Sequence, residues 1–333
     1  MTDSQVLFPA AGHTEQRLLA FDSPTLAGYT WPYFTISGAQ DGPTVCLLAG
    51  VHGAEYPPID ALMRFCRDLD PLTLRGRVIG VPVVNLPAFW ERTPFVCPRD
   101  GKNPNRMFPG KAIGTFSEVL AHHITESVIR QGDYLIDIHC GDMVEDLLPF
   151  TIIQESGRPE VDSVAMDMAI TYGLECVVAL PPDTGPYVVA NGSGSRPVAG
   201  TTDEAAAQLG IPAITPEAGS IGQLQSEAVQ AHLRGLQRVF QRLEMLDGTP
   251  APQSPPMLVR EFKWVRAERG GFFRKAISAG DRLEAGGLIG QMVDLWGAPQ
   301  AEITSPVAGV VLFVTTSPAI LDSGLIVGIG VPA

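Results

Sequence analysis

The stretch TVCLLAGVHGAEYPPIDALMRFCRDLD, residues 44–70, decides how this chain is read. Its first six residues are an almost wholly apolar run with the length of a buried strand rather than of a helix. The loop GVHGAEY follows, and Pro57-Pro58 then opens a helix, because the first helical turn makes no use of the N–H that proline lacks. Ile59, Leu62, Met63, Cys66 and Leu69 recur at spacings of three and four and give that helix one apolar face. Strand, loop and helix in this order form the first unit of an α/β fold.

Working outward, a second apolar run at 78–84 ends in Asn85-Leu86-Pro87, and an irregular stretch continues to about 114, long enough to be functional. A helix is predicted over about 116–130, and after the Gly132-Asp133 break comes the strand YLIDIHCG at 134–141. Short strands are expected at 175–180 and 211–216. The helix DEAAAQLG at 203–210 has its own glycine stop, and a longer amphipathic helix covers about 223–246. The alternation predicts a three-layer α/β domain, a mixed sheet with helices on both faces. NGSGSRPVAG at 191–200 is glycine-rich but lacks the Lys-Ser/Thr ending of a phosphate loop, and it is read as a flexible loop.

GTPAPQSPP at 248–256 breaks the pattern, and beyond it short β-like pieces punctuated by glycine replace helical periodicity. The predicted organisation is a catalytic α/β domain in residues 1–250 and a small all-β domain in residues 257–333. A chain of 333 residues exceeds the size at which one core usually stops growing, which agrees with two units. The rhythm of RLEAGGLIGQMVD, AEITSPVAGVVLFV and SPAILDSGLIVGIG resembles the barrel-sandwich module of biotinyl and lipoyl carriers. Those carriers present a lysine at the hairpin tip, where this chain has TSPV at 304–307, so a structural or access-shaping role is the better reading.

With 45% hydrophobic and 18% charged residues the composition is globular. A formal net charge of -13 argues against a nucleic acid or an anionic membrane as partner, and an anionic substrate would have to be met by locally placed arginines. The N-terminus has neither the basic nor the long apolar region of a leader, and no stretch reaches the length of a membrane span; the expectation is a cytoplasmic protein. Five cysteines without a C-x-x-C pair read as buried free thiols. Cys140, beside His139, is the one candidate nucleophile among them, but strand neighbours point to opposite faces.

His52 and Glu55 stand three apart in a loop leaving the carboxyl edge of a strand, with Gly53 between them for a tight turn. That spacing lets both converge on one ion. A catalytic zinc needs three protein ligands and an open position for water, and two histidines with one glutamate is a known set. His139 ends the strand LIDIHCG and so emerges at the same edge, where open α/β sheets place their sites. Asp137, two residues earlier on the same face, could orient a ligand. His13, His122, His123 and His232 read as packed or solvated.

GVHGAEYPP, DGKNPNRMFPG, LIDIHCGD and ITPEAGS, in this order, resemble the succinylglutamate desuccinylase/aspartoacylase family, whose catalytic domain is similar to zinc carboxypeptidases. The resemblance implies one zinc ion per chain on His52, Glu55 and His139, with Glu217 of TPEAG as the acid/base. It implies that Asn105 and Arg106 of NPNRMF grip a substrate carboxylate. An arginine shortly before that pair faces the oxyanion in the family; Arg99 and Arg92 both precede it here, and Arg99 is favoured. The implied reaction is hydrolysis of a small N-acyl amino acid by metal-activated water, releasing an acetyl or succinyl group. A carboxypeptidase on short peptides and a non-catalytic binding protein on the same scaffold are the alternatives. Homo-oligomerisation is left open.

Overall fold

The run TVCLLA forms the end of the strand Gln40–Ala49 in the computed structural model, which describes residues 2–3, 5–182, 188–189 and 200–333. This strand lies between Arg75–Val81 and Tyr134–Ile138 and is parallel to both. Val45 through Ala49 are fully buried. Both faces of the strand are therefore covered, which is why the sequence shows a continuous apolar run without alternation. Ala213–Glu217 pairs parallel with Tyr134–Ile138, Phe150–Gln154 pairs antiparallel with Ala213–Glu217, and Cys176–Leu180 pairs parallel with Phe150–Gln154. On the other flank, Trp31–Ser37 runs antiparallel to Arg75–Val81, and His13–Leu19 antiparallel to Trp31–Ser37.

The helices cover this mixed sheet in two groups. Tyr56–Asp68 and Pro159–Tyr172 both pack against the long helix Ser226–Arg242. Phe116–Ser127 and Thr202–Leu209 form the other group, sharing contacts with the 3-10 turn Ile129–Gln131. Within Tyr56–Asp68 the buried face is the expected one with a single exchange: Met63 is exposed at 39%, and Phe65 turns inward, its ring 4.8 Å from that of Phe240. The helix starting at Phe116 ends at Ser127 and is continued only by that 3-10 turn.

The Pro-rich stretch does not end the sheet. Met257–Arg266 pairs parallel with Cys176–Leu180 at its start and antiparallel with Leu325–Pro332 along its length, and Gly309–Thr315 follows antiparallel. The short strand Glu145–Leu147 pairs with Gly309–Thr315 from the α/β side. A second, antiparallel sheet is made of Pro299–Thr304, Leu288–Val293, Gly271–Lys275 and Ala319–Ile320. One hydrophobic cluster fills the α/β part and another lies between the two C-terminal sheets. A third joins Leu147, Phe150 and Val178 to Phe262, Trp264 and Phe313, residues from opposite sides of the Pro-rich stretch.

All five cysteines are free and buried. Among the described residues no helix is long and apolar enough to cross a membrane. The glycine-rich segment 191–200 lies outside the described residues apart from Gly200.

Candidate active site

Three neighbouring strands end at one edge of the sheet, and each delivers part of a single site. The loop after Ala49 carries His52 and Glu55; His139 directly follows Ile138; Glu217 is the last residue of its strand. His139 and Glu217 face each other as a parallel bridge, with the His139 N–H donating to the Pro216 carbonyl at 2.9 Å and the Ala218 N–H donating to the His139 carbonyl at 3.1 Å. The turn at 50–55 comes close to the helix Leu86–Glu91: a Cβ on Gly53 would lie 2.2 Å from the backbone nitrogen of Phe89.

His52, Glu55 and His139 are buried, and their ligand atoms all lie within 4.8 Å of one another. His52 Nδ1 is 2.7 Å from Glu55 Oε1, and His139 Nδ1 is 2.9 Å from Glu55 Oε2. The other ring nitrogens are engaged outward. His52 Nε2 donates to Asn103 Oδ1 at 3.1 Å, and His139 Nε2 donates to Asp137 Oδ2 at 3.0 Å, an oxygen that also accepts from the Thr202 hydroxyl at 2.5 Å. Acceptors on both Nε2 atoms select the tautomer whose Nδ1 lone pairs point inward. Two inward imidazole nitrogens and a carboxylate, each fixed by an outer partner, fit a tetrahedral divalent cation with one open position.

The electrostatics follow from burying these charges together. Burial alone would raise the Glu55 carboxyl, but His139 and His52 outweigh it and hold it at about 2. Burial works against a charged His139, yet Asp137 and Glu55 lift its pKa well above the usual histidine value. Glu217 is pushed well above the ordinary carboxylate range by burial and by Glu55, Glu145 and Asp137, with His139 opposing. A buried carboxyl at this edge, beside the His52, Glu55 and His139 set, is placed for proton transfer. Burial next to Glu55 and Glu217 drives the Cys140 thiol well up, so it is protonated and unfit as a nucleophile; its backbone N–H instead donates to Glu55 Oε2 at 3.1 Å.

The irregular stretch after residue 91 closes one side. Arg106 lines the cavity beside His52, Glu55 and Glu217, and so does Asn103. Asn105 is buried and turned to the scaffold, its side-chain oxygen accepting from the Thr202 N–H at 3.3 Å. Arg99 is exposed and does not line the cavity, and Arg92 is exposed as well. The cause is a tight turn in which Gly101 N–H donates to Cys97 O at 2.8 Å while Asp100 is tied to Ser117, which leaves Arg99 on the outer side. His232 is buried between the Tyr172 hydroxyl and the Ala218 carbonyl, His123 stacks on Phe21, and His13 is exposed, so these histidines stay outside the site.

The cavity holds about 520 Å³, and its far wall comes from the C-terminal strands, through Phe262, Trp264, Arg266, Phe313 and Leu325. Asn103 and Glu145 also line it, and neither stood out in the sequence. The signal for Glu145 was its alternation with Leu147, since both line the cavity on a short strand.

The family model of the succinylglutamate desuccinylase/aspartoacylase catalytic domain matches residues 41–243. N-alpha-acetyl-L-2,4-diaminobutyric acid deacetylase of Halomonas elongata is 26% identical over 267 residues, covering 78% of this chain and 73% of its own. The product-bound ectoine utilization protein EutE (DoeB) of Ruegeria pomeroyi superposes with a TM-score of 0.82 at 23% identity, over 98% of this chain and 97% of that one. A succinylglutamate desuccinylase/aspartoacylase from Rhodobacter sphaeroides gives a TM-score of 0.82 at 22% identity, over 99% of this chain and 100% of that one. With its catalytic-domain match spanning more than half of its length, this chain belongs to the succinylglutamate desuccinylase/aspartoacylase family.

Proposed function

We propose that this chain is a zinc-dependent hydrolase that removes an acyl group from a small N-acyl amino acid. The observation that carries this reading is the convergence of His52, Glu55 and Glu217 on one cavity, with the ligand atoms of the buried His139 within 4.8 Å of those of His52 and Glu55. His52 Nδ1, His139 Nδ1 and a Glu55 oxygen would hold the ion, which when bound supplies a Lewis acid for the acyl carbonyl and lowers the pKa of water towards ~7.

The chain's own groups do the rest. The Glu217 carboxylate takes a proton from the attacking water and returns it to the departing amide nitrogen, so that R-CO-NH-R′ and water become a carboxylate and a free amine. Arg106 offers a planar pair of N–H groups to the carboxylate of the amino acid, which sets the amide's orientation. Asn105 supports that arginine from the scaffold side through Thr202. An oxyanion role for Arg99 would require its exposed side chain to turn inward on substrate binding.

The relative from Halomonas elongata, a deacetylase of an N-acetyl amino acid, supports this reading over a carboxypeptidase. So does the wall that Phe262, Trp264 and Phe313 contribute to the cavity, which suits a small substrate better than a peptide. Metal analysis with free-amine release from N-acetyl and N-succinyl amino acids tests it, for wild type and Glu217→Ala. The expected result is one zinc per chain in both proteins and activity lower by about 10²–10⁴-fold in the variant. Full activity in the variant, or wild type that hydrolyses none of the panel, would refute it.

A further inference from the structure

Glu145 is the one cavity-lining carboxylate among the described residues that this chemistry does not use, since Glu55 is committed to the ion and Glu217 to the proton. Its position is built. Glu145 sits opposite Thr315 in the pairing of Glu145–Leu147 with Gly309–Thr315. Its backbone is fixed on both sides, the N–H donating to Asp142 O at 2.8 Å and the carbonyl accepting from Ile221 N–H at 2.7 Å. The carboxylate itself has no hydrogen-bond or ion-pair partner among the described residues. The neighbouring Asp142, by contrast, is satisfied by the backbone N–H groups of Phe95 at 2.8 Å and Met143 at 2.5 Å.

The ion of the hydrolase reading would offset Glu55, whereas Glu145 is a further carboxylate in the cleft that no cation meets within ion-pair distance among the described residues, and such a group is costly unless something cationic meets it. Burial, then Glu55 and Asp142, push the Glu145 pKa up to about 8, with Arg106 only partly opposing. Among the described residues, the arginines that line the cavity are Arg106 and Arg266. Arg266 is occupied by the Ser323 carbonyl at 2.9 Å and lies over the Trp264 ring, 5.4 Å from its centroid. A substrate with a second carboxylate near Glu145 would meet repulsion, whereas an ammonium there would gain a charge-assisted hydrogen bond.

We propose that Glu145 is a specificity-determining residue that binds a side-chain ammonium, so that the preferred substrates are N-acyl diamino acids rather than N-acyl aspartate or glutamate. This rests on the hydrolase reading above. Arg106 then takes the amino acid's carboxylate and Glu145 its second amine, with the scissile amide between them at the His52, Glu55 and His139 set. Phe262 and Phe313 line the same cavity and offer apolar surface to the methylenes that would join the two charges.

The test compares zinc-loaded wild type and Glu145→Gln on N-acetyl-2,4-diaminobutyrate, on the near-isosteric N-acetylnorvaline and on N-acetylaspartate. Wild type is expected to favour the diamino derivative by about 10–100-fold in kcat/KM, from the 1.5–3 kcal/mol typical of a hydrogen bond to a charged group. In Glu145→Gln that ratio falls towards one, through a higher KM for the diamino substrate, and Glu145→Asp restores part of it. A wild-type preference for norvaline or aspartate, or a ratio unchanged by Glu145→Gln, overturns the assignment. Calorimetry with the free amino acids 2,4-diaminobutyrate and norvaline separates the two readings. Tighter binding of the diamino acid that Glu145→Gln abolishes supports the subsite even where hydrolysis is absent and only the hydrolase reading fails; equal binding of the two overturns the subsite.

Discussion

Asp137 is the residue on which the geometry of the His52, Glu55 and His139 set turns, although it is not one of the three. It is fully buried, and its Oδ2 receives both His139 Nε2 at 3.0 Å and the Thr202 hydroxyl at 2.5 Å. Removing it frees the imidazole to rotate and to change tautomer. Asp137→Ala is therefore expected to weaken zinc binding by about 10–100-fold, as losses of such outer partners do. Competition with a chelator of known affinity measures it, and unchanged affinity would show that His139 is held by other means. At this scale the sequence was informative wherever chemistry demands a residue type. His52, Glu55 and His139 were legible as one set, because two imidazoles and a carboxyl have few structural reasons to gather at strand ends, and the structure brings their ligand atoms within 4.8 Å of one another; Glu217 and Arg106 were legible only through the family motifs, and both line the same cavity. Asn103 and Glu145 were not, because an asparagine in a loop and a glutamate on a three-residue strand look like surface residues until the fold turns them inward.

The loop that carries Asn103 and Arg106 has little regular structure of its own and is anchored on a helix end. Asp100 accepts the Ser117 N–H at 2.8 Å and its hydroxyl at 2.9 Å, and Glu118 holds Lys102 at 3.2 Å and Lys111 at 2.8 Å. Asp100 thus satisfies a free N–H in the first turn of Phe116–Ser127, a role whose loss typically costs about 1 kcal/mol. Asp100→Ala is expected to raise KM, because the loop positions Arg106, the proposed partner of the substrate carboxylate, while zinc content stays at the wild-type value. Steady-state kinetics with metal analysis checks this; a lost zinc with unchanged KM would assign the loop to the metal instead. Elements were legible where periodicity was strong, as in Tyr56–Asp68 and Ser226–Arg242. The helix Pro159–Tyr172 went unseen because two of its five buried residues are alanines, which leaves only a faint stripe. The strands His13–Leu19 and Trp31–Ser37 lie towards the edge of the sheet, where polar residues interrupt the apolar pattern.

Across the whole molecule, one sheet passes from the α/β part into the C-terminal strands, and the cavity lies where they meet. The Pro-rich break was visible in the sequence, whereas the pairing of Met257–Arg266 with Cys176–Leu180 was not, since strand partners distant in sequence leave no local mark. Deep in this scaffold His232 is fully buried, and burial lowers its pKa to about 4, against a raising contribution from the Ala218 carbonyl. The unfolded chain, with an ordinary histidine near 6.5, binds this proton first as pH falls. The stabilisation is therefore complete above about pH 6.5 and is lost progressively as pH falls towards 4, by up to about 3 kcal/mol. Denaturant unfolding between pH 4 and 7 is expected to show that slope in wild type and a shallower one in His232→Gln; parallel slopes would remove His232 from the account.

The central claim, a zinc-dependent N-acyl amino acid hydrolase, meets its most direct test in titrating zinc back into chelator-stripped protein while following free-amine release from an N-acetyl amino acid. Activity should be absent at the start, rise linearly and level off at one zinc per chain. Activity that persists in the stripped protein, or that does not return with zinc, would contradict the account.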